Sequence, residues 1–302
     1  MKLQYLLQNN INWKFSAINE DQELAKQIQT RLIDLGILEG SADGSFGPIS
    51  ILALKKFQQL TKTNEPDYIG SVTARHLIQV KPEYLPQPVL KLGNDLASRI
   101  VKYMLAKQYK LFTDSQYYNI VYVEGINPNG TLNNDNPNYF NDIRSVITFE
   151  NGVPKLAGIW EATTEPGAKY TYRPMNPNGV ARIHFGQYKA WSVGMHGTSN
   201  PHEALVQVAP VTVYRDLNKD FIRIGDRIET GLFGINQHWG YDFPKNDIVG
   251  ASAGCLVGRS TKGHREFMAL VKRDQRFLTT KQYVFISTII PGDDLVKNFP
   301  VA

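Results

Sequence analysis

A single cysteine, Cys255, stands in the 302 residues. No disulfide can form within the chain, and the one thiol is either a buried small hydrophobe or a nucleophile, a choice its neighbours must make. No apolar run approaches the roughly 20 residues of a membrane-spanning helix. The opening residues MKLQYLLQNNINWKF hold no apolar stretch of secretory-leader length and no evident small-residue cleavage site, so no export route is legible in them. Dense runs of Lys or Arg are missing as well. With 33 basic and 28 acidic residues the formal charge is +5, a mild excess that suits an anionic surface such as a cell wall and leaves nucleic acid the weaker partner. No segment repeats at a period of roughly 20–50 residues, and the Asn-rich stretch 127–138 is the nearest thing to low complexity.

What is present reads as a globular protein, 42% hydrophobic and 20% charged. Single cores rarely grow past roughly 250–300 residues, so two domains are expected. Residues 22–79 look helical. Leu24, Ile28, Leu32 and Leu35 fall on one helix face, and Gly36 follows as a stop. Asp43-Gly44-Ser45-Phe46-Gly47-Pro48 is a tight turn. A second helix then carries Ile51, Leu54, Phe57 and Gln58, and Gly70-Ser71 opens a third that ends near Leu77. Three prolines make residues 80–90 a stiff linker. A connecting helix is expected over 91–109, with Leu92, Leu96, Ile100 and Met104 on its apolar side. Residues 110–295 then alternate short strands, such as Tyr118–Glu124, Ser145–Phe149 and Val211–Tyr214, with turns at Asn127-Pro128-Asn129-Gly130 and Asn151-Gly152. The expected fold is a small three-helix N-terminal bundle followed by a mainly β domain.

The N-terminal pattern resembles the widespread three-helix peptidoglycan-binding module, over about one-fifth of the chain. Leu35-Gly36, Asp43-Gly44 with Phe46-Gly47, Ala53, Phe57-Gln58, and Gly70 with Thr73 and Leu77 carry the likeness. It implies peptidoglycan as a partner.

The chemistry centres on His238-Trp239-Gly240 and Ser252-Ala253-Gly254-Cys255, with His238 and Cys255 17 positions apart. Two strand edges joined by a loop can bring an imidazole beside a thiol at that spacing. A free thiol, with a pKa of about 8.5, is mostly protonated at neutral pH. An adjacent imidazole can take the proton and leave a thiolate–imidazolium pair. Gly254 permits a sharp turn before the nucleophile. This arrangement resembles the L,D-transpeptidase family of wall enzymes. Their signature is a His and then, after a similar gap, Ser/Thr-His-Gly-Cys with an apolar residue and Arg. His238, Ser252, Gly254 and Cys255 match it, whereas Ala253 replaces the second His and Val257 stands where Arg is usual. The resemblance implies Cys255 as nucleophile, His238 as its base, a backbone carbonyl as third element, and acyl transfer or hydrolysis on stem peptides without metal or organic cofactor. The wider stretch resembles one branch of this group, with landmarks at Ala162–Gly167 and Tyr214-Arg215-Asp216.

His196, on Met195-His196-Gly197-Thr198, is expected on an active-site loop; Trp239 and Arg215 are expected to touch substrate. Alternatively, His184, His196, His202 and His238 could ligate zinc, although the short spacings of a zinc-protease helix are absent. Asp216-x-Asn218-x-Asp220 resembles half a calcium loop, but Phe221 takes the glycine position and a polar turn is the better reading. A third reading is a non-catalytic wall-binding protein, which the missing Arg at 257 favours. The site of action is expected at the cell wall or as a phage-type lysin, and no feature specifies an oligomeric state.

Overall fold

The computed structural model describes residues 2–301. The chain divides into two compact units, residues 1–88 and 89–302.

The first unit contains α1 (Leu3–Asn9), β1 (Trp13–Lys14), α2 (Phe15–Ile18), α3 (Gln22–Asp34), α4 (Pro48–Leu60), β2 (Tyr68–Ile69), α5 (Ser71–Gln79) and a 3-10 turn at Pro82–Tyr84. Helix α3 begins where Asp21 caps it, accepting from the Leu24 N–H at 3.0 Å. It ends at Gly36, whose φ of +71° suits glycine. Its buried face, Leu24, Ile28 and Leu32, packs with Leu54, Phe57 and Leu77 from α4 and α5. Leu3, Leu6, Phe15 and Ile18 join the same core, so the unit begins well before residue 22.

The residues of the N-terminal motif hold this unit together. Buried Gln29 donates to Asp43 Oδ1 (2.9 Å) and the Ser45 carbonyl (3.0 Å), and accepts from the Gly44 N–H (2.8 Å). Gln58 likewise donates to the Tyr68 carbonyl (2.8 Å) and Thr73 Oγ1 (3.0 Å). Buried Glu65 caps α5 by accepting from the Gly70, Val72 and Thr73 N–H groups. Leu85, in the expected linker, packs into this core.

The second unit opens with α6 (Leu96–Ala106), which Asp95 caps by accepting from the Ser98 N–H at 3.1 Å. The helix is shorter than its apolar pattern suggests: Leu90 and Leu92 precede it, where the Lys91 N–H donates to the Gly152 carbonyl. Rather than connecting domains, α6 lies in the second unit's own core with Val121, Val123, Ile143 and Ile147.

The remaining elements are β3 (Asn119–Glu124), β4 (Asp142–Glu150), β5 (Val153–Thr163), α7 (Ala168–Tyr172), β6 (Val180–Ile183), β7 (Gly186–His196), β8 (His202–Gln207), β9 (Val211–Asp216), β10 (Arg227–Gly231), β11 (Gln237–Trp239), β12 (Leu256–Gly258), α8 (Thr261–Val271), α9 (Gln275–Thr279), β13 (Phe285–Pro291) and α10 (Gly292–Asn298). Eight strands close a barrel in the order β11-β12-β5-β4-β3-β13-β7-β8, and β10-β9-β6 form a separate three-stranded sheet. The β4–β5 hairpin turns at Asn151-Gly152, both with positive φ (50° and 80°), as a two-residue turn matched to strand twist requires. The N-terminal unit is thus mainly helical and the C-terminal unit mainly β.

Candidate active site

Strands β11 and β12 run parallel, with His238 opposite Val257. The pairing continues one step earlier, where the Leu256 N–H donates to the Asn236 carbonyl at 2.9 Å. Cys255 therefore lies beside Asn236, and His238 follows Asn236 on the same strand face. The Asn236 N–H donates to Cys255 Sγ at 3.4 Å, and Sγ donates to the Gly234 carbonyl at 3.4 Å.

The turn before Cys255 is stapled. Ser252 is buried, and its hydroxyl donates to the Cys255 carbonyl (2.9 Å) while accepting from the Gly254 N–H (3.1 Å). Its own carbonyl accepts from the Gly167 N–H at 2.9 Å, and Thr163 pairs with Val257, so two sequence landmarks meet here. Gly254 has φ +123°, and a Cβ there would lie 2.6 Å from the Ala181 carbonyl oxygen. Ser252 and Gly254 shape the turn.

His238 is 1% exposed. Its Nδ1 lies 2.8 Å from the Trp239 carbonyl oxygen. That oxygen can only accept, so Nδ1 carries the proton and Nε2 keeps its lone pair. Nε2 is buried without a hydrogen-bond partner, so Cys255 and His238 are not hydrogen-bonded to each other. The carbonyl bond alone does not single out His238, since His184 makes the same bond to the Phe185 carbonyl; His184, however, stacks on Tyr214.

Burial sets the electrostatics. It holds the His238 imidazole well below its ordinary 6.5, and the positive charge that His196 can carry adds to the effect. Cys255 itself is only half-buried, yet its enclosure among neighbouring atoms pushes the thiol up to about 11, against the Asn236 N–H bond that favours the thiolate. The sequence suggested a thiolate–imidazolium pair. In the structure no hydrogen bond links the two groups, and desolvation lowers the imidazole and raises the thiol, directions that favour the neutral form of each.

His196 lies flat on His238, with ring centroids 3.8 Å apart. Its Nδ1 accepts from Asn236 Nδ2 at 2.9 Å. The Asn236 side-chain oxygen accepts from the Gln207 N–H at 2.8 Å. Asn236 thereby ties the thiol, the second imidazole and β8 together, a role the sequence reading missed because an asparagine between two motifs announces no chemistry. Trp239 stacks on His202 at 3.8 Å, with Arg265 over its ring at 5.5 Å. Fully buried Trp191 donates to the Ile235 carbonyl at 2.7 Å and braces the segment leading to Asn236.

Arg215 requires a correction. It sits on β9 in the three-stranded sheet, 5% exposed. Its guanidinium donates to Glu229 (2.8 Å) and the Gly179 carbonyl (3.4 Å) and covers Phe233 at 4.6 Å. Those partners commit it to the sheet rather than to substrate. Arg259 is engaged with Glu161 at 2.7 Å and does not replace the Arg missing at Val257. Asp216 accepts from the Lys219, Asp220 and Phe221 N–H groups, so the half-calcium motif is a self-satisfied turn. Among the described residues, no three His, Cys, Asp or Glu side chains are grouped to hold a metal ion.

Residues 21–73 match the family model described as putative peptidoglycan binding domain. The N-terminal unit thus carries a peptidoglycan-binding module. No curated protein matches the sequence. Among solved structures, a fused Zn-dependent amidase/peptidase/peptidoglycan-binding domain-containing protein from Clostridium acetobutylicum aligns at 16% identity and TM-score 0.29, covering 93% of this chain and 99% of that one. An L,D-transpeptidase from Xylanimonas cellulosilytica aligns at 15% identity and TM-score 0.20, covering 88% and 92%. At those scores neither bears on the chemistry.

Proposed function

We propose that this chain binds peptidoglycan through its N-terminal module and performs cysteine-dependent acyl transfer or hydrolysis on stem peptides through its β domain, at the cell wall. One observation supports this above the others. His238 presents a lone pair at Nε2 while its Nδ1 proton is held by the Trp239 carbonyl, on the strand beside the one that Cys255 leads into. A backbone carbonyl is the third element that the L,D-transpeptidase resemblance implies.

The neutral pair defines the mechanism. Substrate entry brings a peptide carbonyl to Cys255, and Sγ leaves its bond to the Gly234 carbonyl. As sulfur attacks carbon, His238 Nε2 takes the S–H proton, acting as general base in the same step. Collapse of the tetrahedral intermediate breaks the C–N bond and returns that proton to the leaving amine. The thioester then passes its acyl group to an acceptor amine, giving a crosslink, or to water, giving cleavage. Ser252 and Gly254 position the nucleophile, while His196 and Trp239 line the approach.

A second reading, wall binding without catalysis, draws support from the raised Cys255 thiol. The test is incubation with purified stem-peptide fragments followed by mass spectrometry of protein and products. A thioester adduct on Cys255 supports the enzyme. Unchanged fragments and unmodified protein support the binder.

A further inference from the structure

On the second unit, a cavity of about 470 Å³ is lined by Glu124, Asp135, Glu165, Arg182 and Arg223, none of which the cysteine chemistry uses. Three buried carboxyl groups gather here: Glu124 at the end of β3, Asp142 at the start of β4 and Glu165 just beyond β5. Glu124 takes a two-pronged pair from Arg223. Glu165 lies 2.8 Å from Arg182 Nη1.

One hydroxyl reveals how these groups share protons. Thr164 Oγ1 lies 2.6 Å from Glu124 Oε2 and 2.9 Å from Asp142 Oδ2. Its single proton cannot fully satisfy two ionised carboxylates at once, so the arrangement favours a proton held on one of the pair. Burial pushes Asp142 well above the carboxylate range, and negative Glu124 adds to this; Arg223 holds Glu124 low despite its burial. Both directions favour Asp142 as the holder of that proton. Burial and Glu124 raise Glu165 as well, to about 8. The cluster holds more carboxyl groups than cations and meets the deficit by keeping protons, so an incoming cation can take their place.

Arg182 supplies the complementary requirement. It is 1% exposed, and its Nε and Nη2 are buried without any hydrogen-bond partner. Those two nitrogens form the side of the guanidinium whose parallel N–H bonds match the two oxygens of a carboxylate. Leaving that edge unpaired in a buried arginine is costly, and a ligand carboxylate would relieve it.

We propose that this cavity binds a zwitterionic amino-acid group, its carboxylate on the Nε/Nη2 edge of Arg182 and its ammonium against Glu165 and Asp135. The group can belong to a free amino acid or to a diamino-acid side chain within a peptide. The inference does not depend on Cys255 being a nucleophile.

The test is calorimetric titration of the full chain carrying Cys255→Ala, so that turnover cannot intervene. L-lysine reports the free head group, and a tripeptide ending in diaminopimelate reports the peptide-borne one. Pentane-1,5-diamine and hexanoate report each charge alone. At least one zwitterion should bind saturably, with both single-charge controls about tenfold weaker or worse. Asp135→Asn, at an exposed rim position that leaves the core intact, and Glu165→Gln should each weaken the zwitterion by about tenfold. Absence of binding by both zwitterions to the folded chain, equal binding by the diamine, or indifference to both substitutions would overturn the proposal. Failure here would leave the cysteine reading untouched.

Discussion

The imidazole of His196 lies face to face with that of His238, ring centroids 3.8 Å apart and planes 12° from parallel. Two stacked rings cannot both carry positive charge without repulsion. Burial and this repulsion together keep His238 neutral. The base of the proposed reaction is therefore in its proton-accepting form before substrate arrives.

That state predicts the pH profile. A general base acts in its neutral form, present above its pKa. Because the His238 pKa is lowered, the acid limb of turnover should fall below pH 6.5. His196→Phe keeps the stacked face and removes the titrating charge, so the limb should move to higher pH. A limb unmoved by that change would separate His196 from the base. The measurement is kcat/KM against pH for both proteins.

Thiol reactivity follows the opposite direction. With the Cys255 thiol raised to about 11, alkylation of the folded protein should be slow near neutrality and climb steadily through the alkaline range. His238→Ala should change this profile little, since no hydrogen bond links the two groups in the resting state. A labelling midpoint below the ordinary thiol value, about 8.5, would mean that a thiolate–imidazolium pair forms after all.

The turn can be probed by one added methyl. Gly254→Ala puts a side chain at φ +123° and a Cβ 2.6 Å from the Ala181 carbonyl oxygen. The cost should be about 1–3 kcal/mol of stability. Turnover should fall with it, because the nucleophile's backbone must shift. Denaturant unfolding and activity, measured together, check both.

The module and the β domain should be separable in binding. A chain lacking residues 1–88 should stay in the supernatant when purified sacculi are pelleted, while the full chain sediments. High salt should weaken the full chain's binding only in part if sugar and peptide contacts dominate over charge. Sedimentation of the truncated chain would assign wall binding to the β domain instead.

The N-terminal helices were legible because their motif is local: Asp43, Gly44, Gln58 and Thr73 each help secure a nearby turn, and their spacing records that work. The start of α6 was also written in the chain, as Asp95 before Ser98, but the apolar pattern extending back to Leu90 obscured it. Barrel order was not legible, since β13 pairs with β3 and β7 from far along the sequence. Cys255 and His238 were singled out through a motif, whereas the opposite pKa shifts of the two groups follow from their enclosure, which no motif records. Arg215 was expected to touch substrate, and its engagement was not legible because its partner Glu229 lies on a different strand. Glu124, Asp142 and Glu165 escaped notice for the same reason: three separated carboxylates look like ordinary surface charge until the barrel buries them together.

The central claim is that Cys255 and His238 act as one unit on stem peptides. The most direct test follows release or exchange of the terminal stem-peptide residue by the wild type, Cys255→Ala, His238→Ala and the double variant, each with and without EDTA. Loss of the base alone should cost roughly a hundred- to ten-thousand-fold. Cys255→Ala should abolish turnover, the double variant should be no worse than Cys255→Ala, and EDTA should change nothing. Full activity in Cys255→Ala, or activity lost to EDTA and restored by zinc, would contradict the account.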